Sequence, residues 1–444
     1  MFEPLYSAAE MRAAEEGHDV PELMERAGAA VAREVLQRFP DARRIAVVCG
    51  GGSNGGDGRI AARILREEGC EAVETTAVEQ ADVIVDALFG TGFGGEPRAE
   101  AAATIGRINA AGAPVVSVDV PSGIDASTGE IAGEAVRAAL TVSFHGVKAG
   151  LAIAPGLFHA GEVTVEEIGL EPAETALRLV TPAILAVVPR RRPQDNKYTA
   201  GAVLVVGGSP GMAGAVCLAA EAAFRADAGY VAVAVPERSL PVVEARLLEP
   251  VKVTWADAVG AAAKAGALAI GPGLGREPEA LRLREELLAA GEQSLVLDAD
   301  ALHELEPGEW GGRAVLTPHA GELARLLGEE SAWVDAHRLE AARRGAERFG
   351  AVCLLKGADT IVAAPGEGAL VCVTAAPGLA TAGTGDVLTG ILAAFLAKGV
   401  EPRLAAAAAA TAHGLAARSR DSQAGMIASD VIAALPSVLA VGSP

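Results

Sequence analysis

Aromatic side chains are scarce in this chain, at 3% of 444 residues, which leaves alanine and glycine to fill the spaces between helices and sheet. Long apolar runs are missing. A membrane-spanning helix needs about 20 consecutive apolar residues, and the most alanine-rich stretch, Leu404 to Ala417, is interrupted by Thr411, His413 and Gly414 and reads as a packed helix. Cysteine is rare as well. The five (Cys49, Cys70, Cys217, Cys353, Cys372) are scattered without a Cys-x-x-Cys pair, so they read as small buried hydrophobes rather than disulfides or metal ligands. Positive charge is in deficit, with a formal net charge of -20 and a pI near 4.9. Nucleic acid and anionic membrane surfaces repel such a protein, and any phosphate it binds must be held locally. The opening MFEPLYSAAEMRAAEEG lacks the basic start and apolar core of a signal peptide, so the expected location is cytoplasmic.

Hydrophobic residues make up 51% of the chain, and its length favours two domains over one. From Val20 to about Leu170, β-branched runs alternate with helical patterns: RIAVVCG, a helix from Gly58 to Glu68, DVIVDALFG, a helix from about Ala99 to Ala111, then PVVSVDVPSG. This alternation predicts a parallel sheet covered on both faces, with ligands at the carboxyl ends of its strands. Between Glu171 and Lys197 the pattern breaks into a stretch with four prolines and a basic cluster, the expected linker. A second α/β series then runs from AVLVVGGS to the end. The fold class is α/β in two domains, 1–175 and 176–444.

Two glycine-rich turns carry the chemistry. Gly383-Thr384-Gly385-Asp386 opens the apolar helix VLTGILAAFLA; its amides and helix N-terminus suit a phosphate, and Asp386 stands where a substrate hydroxyl could lose its proton. Gly50 to Gly58, GGGSNGGDG, follows the strand RIAVV, and two neighbouring strands end in Asp86 with Gly90-Thr91-Gly92 and in Asp119 with Pro121-Ser122-Gly123. Oxygens of Asn54, Asp86 and Ser122 could meet a hard cation there, while the 53–57 and 90–96 amides face phosphate. In the second half, Lys356 to Thr360 could reach a nucleotide phosphate. Taken alone, His319 in Thr317-Pro318-His319 reads as a helix cap, Asp298 and Asp300 as either phosphate-metal anchors or caps, and His413 has no assigned role.

Together LMERAGAAVA, SNGGDG, DALFGTGFGG, VDVPSGIDASTG and TVSFHGVKAGL in the first half, with GAVLVVGGSPGMAGA, AIGPGLG, LDADAL, TPHAGE, LKGADT and AGTGDVLTG in the second, resemble the bifunctional NAD(P)H-hydrate repair enzymes over nearly the whole chain. The resemblance implies a Rossmann-like epimerase domain at 1–175 and a ribokinase-like dehydratase domain at 176–444. It implies that Ser53, Asn54, Gly55, Gly56 and Asp57, with Gly90, Thr91, Gly92, Phe93, Gly94, Gly95 and Glu96, hold the hydrated dinucleotide. It also implies K+ at Asn54, Asp86 and Ser122, Asp119 beside the reacting ring, and Lys148 as its acid/base partner. Ser53 replaces the family's commoner asparagine. In the second domain it implies Ala215, Gly273, His319 and Asp386 against the hydrate, and Lys356, Gly357, Ala358, Asp359, Thr360 and Gly385 against the nucleotide. The implied substrates are NADHX and NADPHX with ADP, or ATP, carried with Mg2+, in a homo-oligomer. A ribokinase-superfamily small-molecule kinase with a fused non-catalytic binding domain is the alternative.

Overall fold

The computed structural model describes residues 1–441. The chain forms two compact units, residues 4–178 with 335–337, and residues 1–3 with 179–334 and 338 onward. In the first, six parallel strands lie in the order Glu71–Glu74, Arg44–Cys49, Val83–Ala87, Val115–Val118, Leu140–Phe144, Glu162–Glu166. The strands at 83–87, 115–118 and 140–144 are buried along their whole length, as β-branched runs covered on both faces must be. The chain leaves Arg44–Cys49 toward one edge and returns on its other side at Val83–Ala87, so the strand order reverses there, the place where open α/β sheets bind ligands. The helix Val20–Arg38 crosses Ser53–Glu67 closely because Gly28 has no side chain: a Cβ there would stand 2.5 Å from Ile60 Cγ2.

Before these elements, a short strand, Phe2–Tyr6, pairs in parallel with Val147–Lys148, placing Tyr6 opposite Lys148. The helix Ala8–Glu15 follows at once, fixed by a capping box in which the Ser7 hydroxyl accepts from the Glu10 amide and Glu10 accepts from the Ser7 amide.

In the second unit nine neighbouring strands run in the order 251–254, 230–235, 202–206, 267–270, 294–297, 314–316, 352–355, 360–363, 370–372; the last two pairings are antiparallel and the rest parallel. The helix Thr384–Ala397 lies on Ala213–Arg225, where a Cβ on Gly390 would come within 2.1 Å of the Ala219 carbonyl. Small residues set this spacing, as the low aromatic content predicts. Among the described residues no helix is long and apolar enough to cross a membrane.

The stretch expected to be a linker is built structure. Leu177–Val180 is a strand and Pro182–Val187 a 3-10 helix, and Val180, Ile184, Leu185 and Val188 are buried in the second unit's core. The prolines mark turns between short apolar segments rather than a flexible tether, and the changeover between units falls at Arg178 and Leu179. The basic cluster is likewise tied to the fold at the surface: Arg190 donates to the Leu439 carbonyl and Arg191 pairs with Asp227 at 2.7 Å.

Candidate functional sites

A cavity of about 730 Å3 opens in the first unit over the carboxyl ends of its strands. The helix there begins at Ser53, five residues before the Gly58 start expected, so SNGGD is its first turn rather than a loop. Glycine permits this. A Cβ at Gly55 would stand 2.0 Å from the Gly50 carbonyl oxygen, and one at Gly58 would stand 2.5 Å from Ala87 Cβ. Gly55 and Gly56 therefore serve helix packing, whereas Ser53, Asn54 and Asp57 line the cavity with Gly90 to Gly94. Gly95 and Glu96 lie outside its wall.

Asp86 is fully buried. It accepts from the Ser122 hydroxyl at 2.6 Å, the Ser122 amide at 2.9 Å and the Ser117 hydroxyl at 2.9 Å. Burial pushes its carboxyl above the ordinary range, against the pull of those hydrogen bonds. Asn54 Nδ2 donates to the Phe89 carbonyl at 2.9 Å, and Ser122 Oγ lies 3.3 Å from the same carbonyl. Asn54 and Ser122 thus meet at one backbone oxygen and Ser122 links it to Asp86, with Asn54 Oδ1 turned toward Gly90. A buried carboxylate ringed by neutral oxygens fits a weakly polarising cation.

Asp119 ends the strand Val115–Val118 in the left-handed region, φ 65, a conformation costing about 1–3 kcal/mol for a non-glycine residue. That turn presents its carboxylate to Lys148, whose Nζ lies 2.5 Å from Asp119 Oδ1. Lys148 is wholly buried and also donates to the Phe144 carbonyl at 2.6 Å and to Ser143 Oγ at 3.2 Å. Asp57 has no such help. Its side chain is 8% exposed, its Oδ1 has no hydrogen-bond partner, and burial followed by the nearby charges of Asp119 and Glu15 raises its pKa to about 8. Sequence reasoning missed Met11, Arg12 and Glu15, which the helix Ala8–Glu15 contributes to the same wall. The Ser-x-x-Glu capping signature announces the helix, but only the pairing of Tyr6 with Lys148 brings it to the site.

In the second unit Gly383 adopts φ 92 and caps Thr384–Ala397, putting Asp386 in the first turn. Burial, and after it the charge of Asp298, raises Asp386 to about 7 despite the pull of Lys356. Asp298 is an anchor rather than the cap of the following turn: one oxygen takes Lys356 Nζ at 2.8 Å, the other the Thr389 hydroxyl at 2.7 Å. Burial favours neutral Asp298, yet Lys356 holds it below its ordinary range. Burial alone would depress Lys356, but Asp298 and Glu322 hold it above. A Cβ at Gly385 would lie 3.7 Å from Lys356 Nζ, so the ammonium sits beside the glycine turn.

The other expected residues divide. His319 caps Ala320–Leu327, Nδ1 accepting from the Gly321 amide at 3.0 Å, and leaves its ring largely exposed. Gly273 and Ala215 adjoin each other, a Cβ on the first falling 3.3 Å from that of the second. Gly357 and Ala358 are exposed. Asp359 points inward to Arg338 at 2.8 Å, and the Thr360 hydroxyl donates to the Gly357 carbonyl at 3.0 Å, so these two side chains shape the turn and leave backbone for a ligand. Asp300 is engaged by the Gly275 amide and Arg276, both at 3.0 Å. His413 is buried, and burial lowers it to about 4, so it is neutral at physiological pH.

The family model described as NAD(P)H-hydrate dehydratase matches residues 203–437, and that described as YjeF-related protein N-terminus matches 20–80 and 71–150. The chain is 38% identical to the bifunctional NAD(P)H-hydrate repair enzyme Nnr of Moorella thermoacetica, over 98% of this chain and 96% of that protein. It is 40% identical to the protein of the same name from Pyrobaculum aerophilum, over 94% and 93%. Among solved structures, the ADP/ATP-dependent NAD(P)H-hydrate dehydratase of Bacillus subtilis, co-crystallised with ATP/Mg2+, matches with a TM-score of 0.55 and 29% identity, over 59% of this chain and 98% of that one. A ribokinase-like superfamily protein of Enterococcus faecalis matches at 0.55 and 24%, over 62% and 99%, a likeness of fold alone.

Proposed function

The chain belongs to the family of bifunctional NAD(P)H-hydrate repair enzymes, and from that premise we propose that its N-terminal cavity interconverts the R and S hydrates of NADH and NADPH while its C-terminal site dehydrates the S hydrate with ADP. A dihydronicotinamide ring is an enamine. Water adds to its carbon beside the ring nitrogen, giving a carbinolamine whose hydroxyl is a poor leaving group. In the C-terminal site Asp386 takes the hydroxyl proton as its oxygen attacks the terminal phosphorus of ADP, and the bond to AMP breaks. Phosphate then leaves as the C–O bond breaks, a proton is lost from the neighbouring carbon, and the double bond returns. The products are NAD(P)H, AMP and phosphate.

The observation that carries this reading is the placement of Asp386. It lies in the first turn of a helix capped by a left-handed glycine, with a carboxyl that titrates near 7 beside Lys356. A base is most effective with a pKa close to the working pH. Amides at a helix N-terminus stabilise charge on a transferring phosphoryl group, where positioning and electrostatics supply most of the catalysis. Mg2+ keeps several waters and is held chiefly by phosphates with one or two carboxylates; Asp298, 2.8 Å from Lys356, and Glu322, 3.7 Å from it, are carboxylates at hand. In the N-terminal cavity Asn54, Asp86 and Ser122 would hold K+, which supplies a fixed positive charge beneath the loop facing the dinucleotide phosphates.

Separate substitutions test the division of labour. Asp386→Asn is expected to lower dehydration of the S hydrate at least 100-fold, in keeping with the loss of a general base, and to leave epimerisation intact. Asp119→Asn is expected to do the reverse. Each rate is followed by chromatographic separation of the two hydrates and by the near-ultraviolet absorbance of regenerated NADH. Unimpaired dehydration in Asp386→Asn would remove the proposed base.

A further inference from the structure

The N-terminal cavity holds more acid than its one lysine can neutralise. Asp119, Asp57 and Glu15 all line it together with Lys148 and Arg12. The lysine is already committed, with its ammonium shared among Asp119, the Phe144 carbonyl and Ser143. Arg12 lies on the same helix as Glu15, and its charge acts on Glu15. Asp57 also lines the cavity and is buried, its Oδ1 enclosed and without a hydrogen-bond partner. Neighbouring carboxyls that cannot all ionise keep a proton among them.

We propose that Asp57 is the general acid of the epimerase site and that Glu15, at the solvent-exposed end of the helix Ala8–Glu15, is the group through which Asp57 exchanges its proton with water. The assignment rests on the epimerase reading given above. A carbinolamine inverts by opening and closing. Asp119, ion-paired with Lys148, takes the hydroxyl proton; the C–N bond breaks as the carbonyl forms, and the ring nitrogen takes the proton of Asp57. The open aldehyde turns, the nitrogen adds to its other face, Asp57 recovers the proton and Asp119 returns its own. No atom is gained or lost. The groups surrounding Asp57 agree with its part: burial, then Asp119, then Glu15, all favour the protonated acid. For Glu15, burial and Asp119 favour the acid form, and Lys148 and Arg12 oppose them. Glu15 precedes the region matched by the N-terminal family model, which begins at residue 20.

Epimerisation of the R hydrate is measured against pH in the full-length protein and in Asp57→Asn, Glu15→Gln, Glu15→Asp and Asp119→Asn. The wild-type kcat/KM is expected to fall on an alkaline limb centred near pH 8. Asp57→Asn is expected to lose that limb and about 100-fold in kcat, with KM little changed. Glu15→Gln is expected to lose roughly tenfold, and Glu15→Asp to restore most of it. An unchanged thermal unfolding transition of the N-terminal unit in each variant reports that this unit has folded. A wild-type profile without an alkaline limb, or an Asp57→Asn enzyme that keeps both the limb and wild-type kcat, overturns the assignment of Asp57; full activity in Glu15→Gln overturns that of Glu15. If either result accompanies loss of activity in Asp119→Asn, the epimerase reading stands and only this inference fails. Undiminished activity in Asp119→Asn sinks the epimerase reading itself.

Discussion

Asp386, the proposed base, carries a cost in stability. Its carboxyl titrates near 7 in the fold against 3.8 when unperturbed, so between those values the native state binds a proton that the unfolded chain has released. Stability from this group is therefore full below about pH 4 and declines as pH rises toward 7. Asp386→Asn cannot ionise and escapes the decline. The variant is expected to match the wild type in acid and to exceed it by roughly 2 kcal/mol at pH 8, less than the whole shift implies because the side chain is part-exposed. Denaturant unfolding across that range checks this; a variant less stable than wild type at pH 8 would show that the carboxylate is held by partners rather than strained by burial. The residue type and its place at the head of a helix were legible in GTGD. Its raised pKa was not, because it comes first from burial and then from the charge of Asp298, both of which tertiary packing supplies.

Among the elements, the Ser53–Glu67 helix shows best how much local sequence can disclose. The glycine-rich turn after a strand was evident, and all of 53–57 was expected to hold a ligand, of which Ser53, Asn54 and Asp57 line the cavity. That the same residues already form helix was hidden, since repeated glycine disfavours helix by about 1 kcal/mol each in isolation. Here tertiary contact overrides propensity: only a residue without Cβ fits 2.0 Å from the Gly50 carbonyl. Gly55→Ala is expected to destabilise the N-terminal unit by about 3 kcal/mol or more and to abolish epimerisation while dehydration persists. Gly51→Ala meets nothing within 4 Å and is expected to fold normally. Equal melting temperatures for the two variants would contradict this packing argument. The proline-rich stretch from Glu171 misled for the opposite reason, since its buried alternation of short apolar segments was masked by turn residues.

Across the whole molecule, composition and motif order disclosed two α/β units with a candidate ligand site in each, and the two family models divide the chain in the same order. What composition could not show was which side chains are consumed in holding the sites together. Asp359, Thr360 and His319 carry the right chemistry for a ligand, yet an arginine, a carbonyl and a helix N-terminus claim much of it. The net charge of -20 acts at this scale too. An acidic surface gives no general attraction to anionic nucleotides, so the proposed nucleotide site relies on the local cation and amides around Lys356 and Gly385.

The most direct test of the central claim is a product balance with wild-type protein, ADP and the S hydrate of NADH. The account predicts NADH, AMP and free phosphate in equal amounts, with no phosphorylated dinucleotide remaining. A stable phosphate ester accumulating in place of NADH would contradict it, since the C-terminal site would then transfer a phosphoryl group without expelling it.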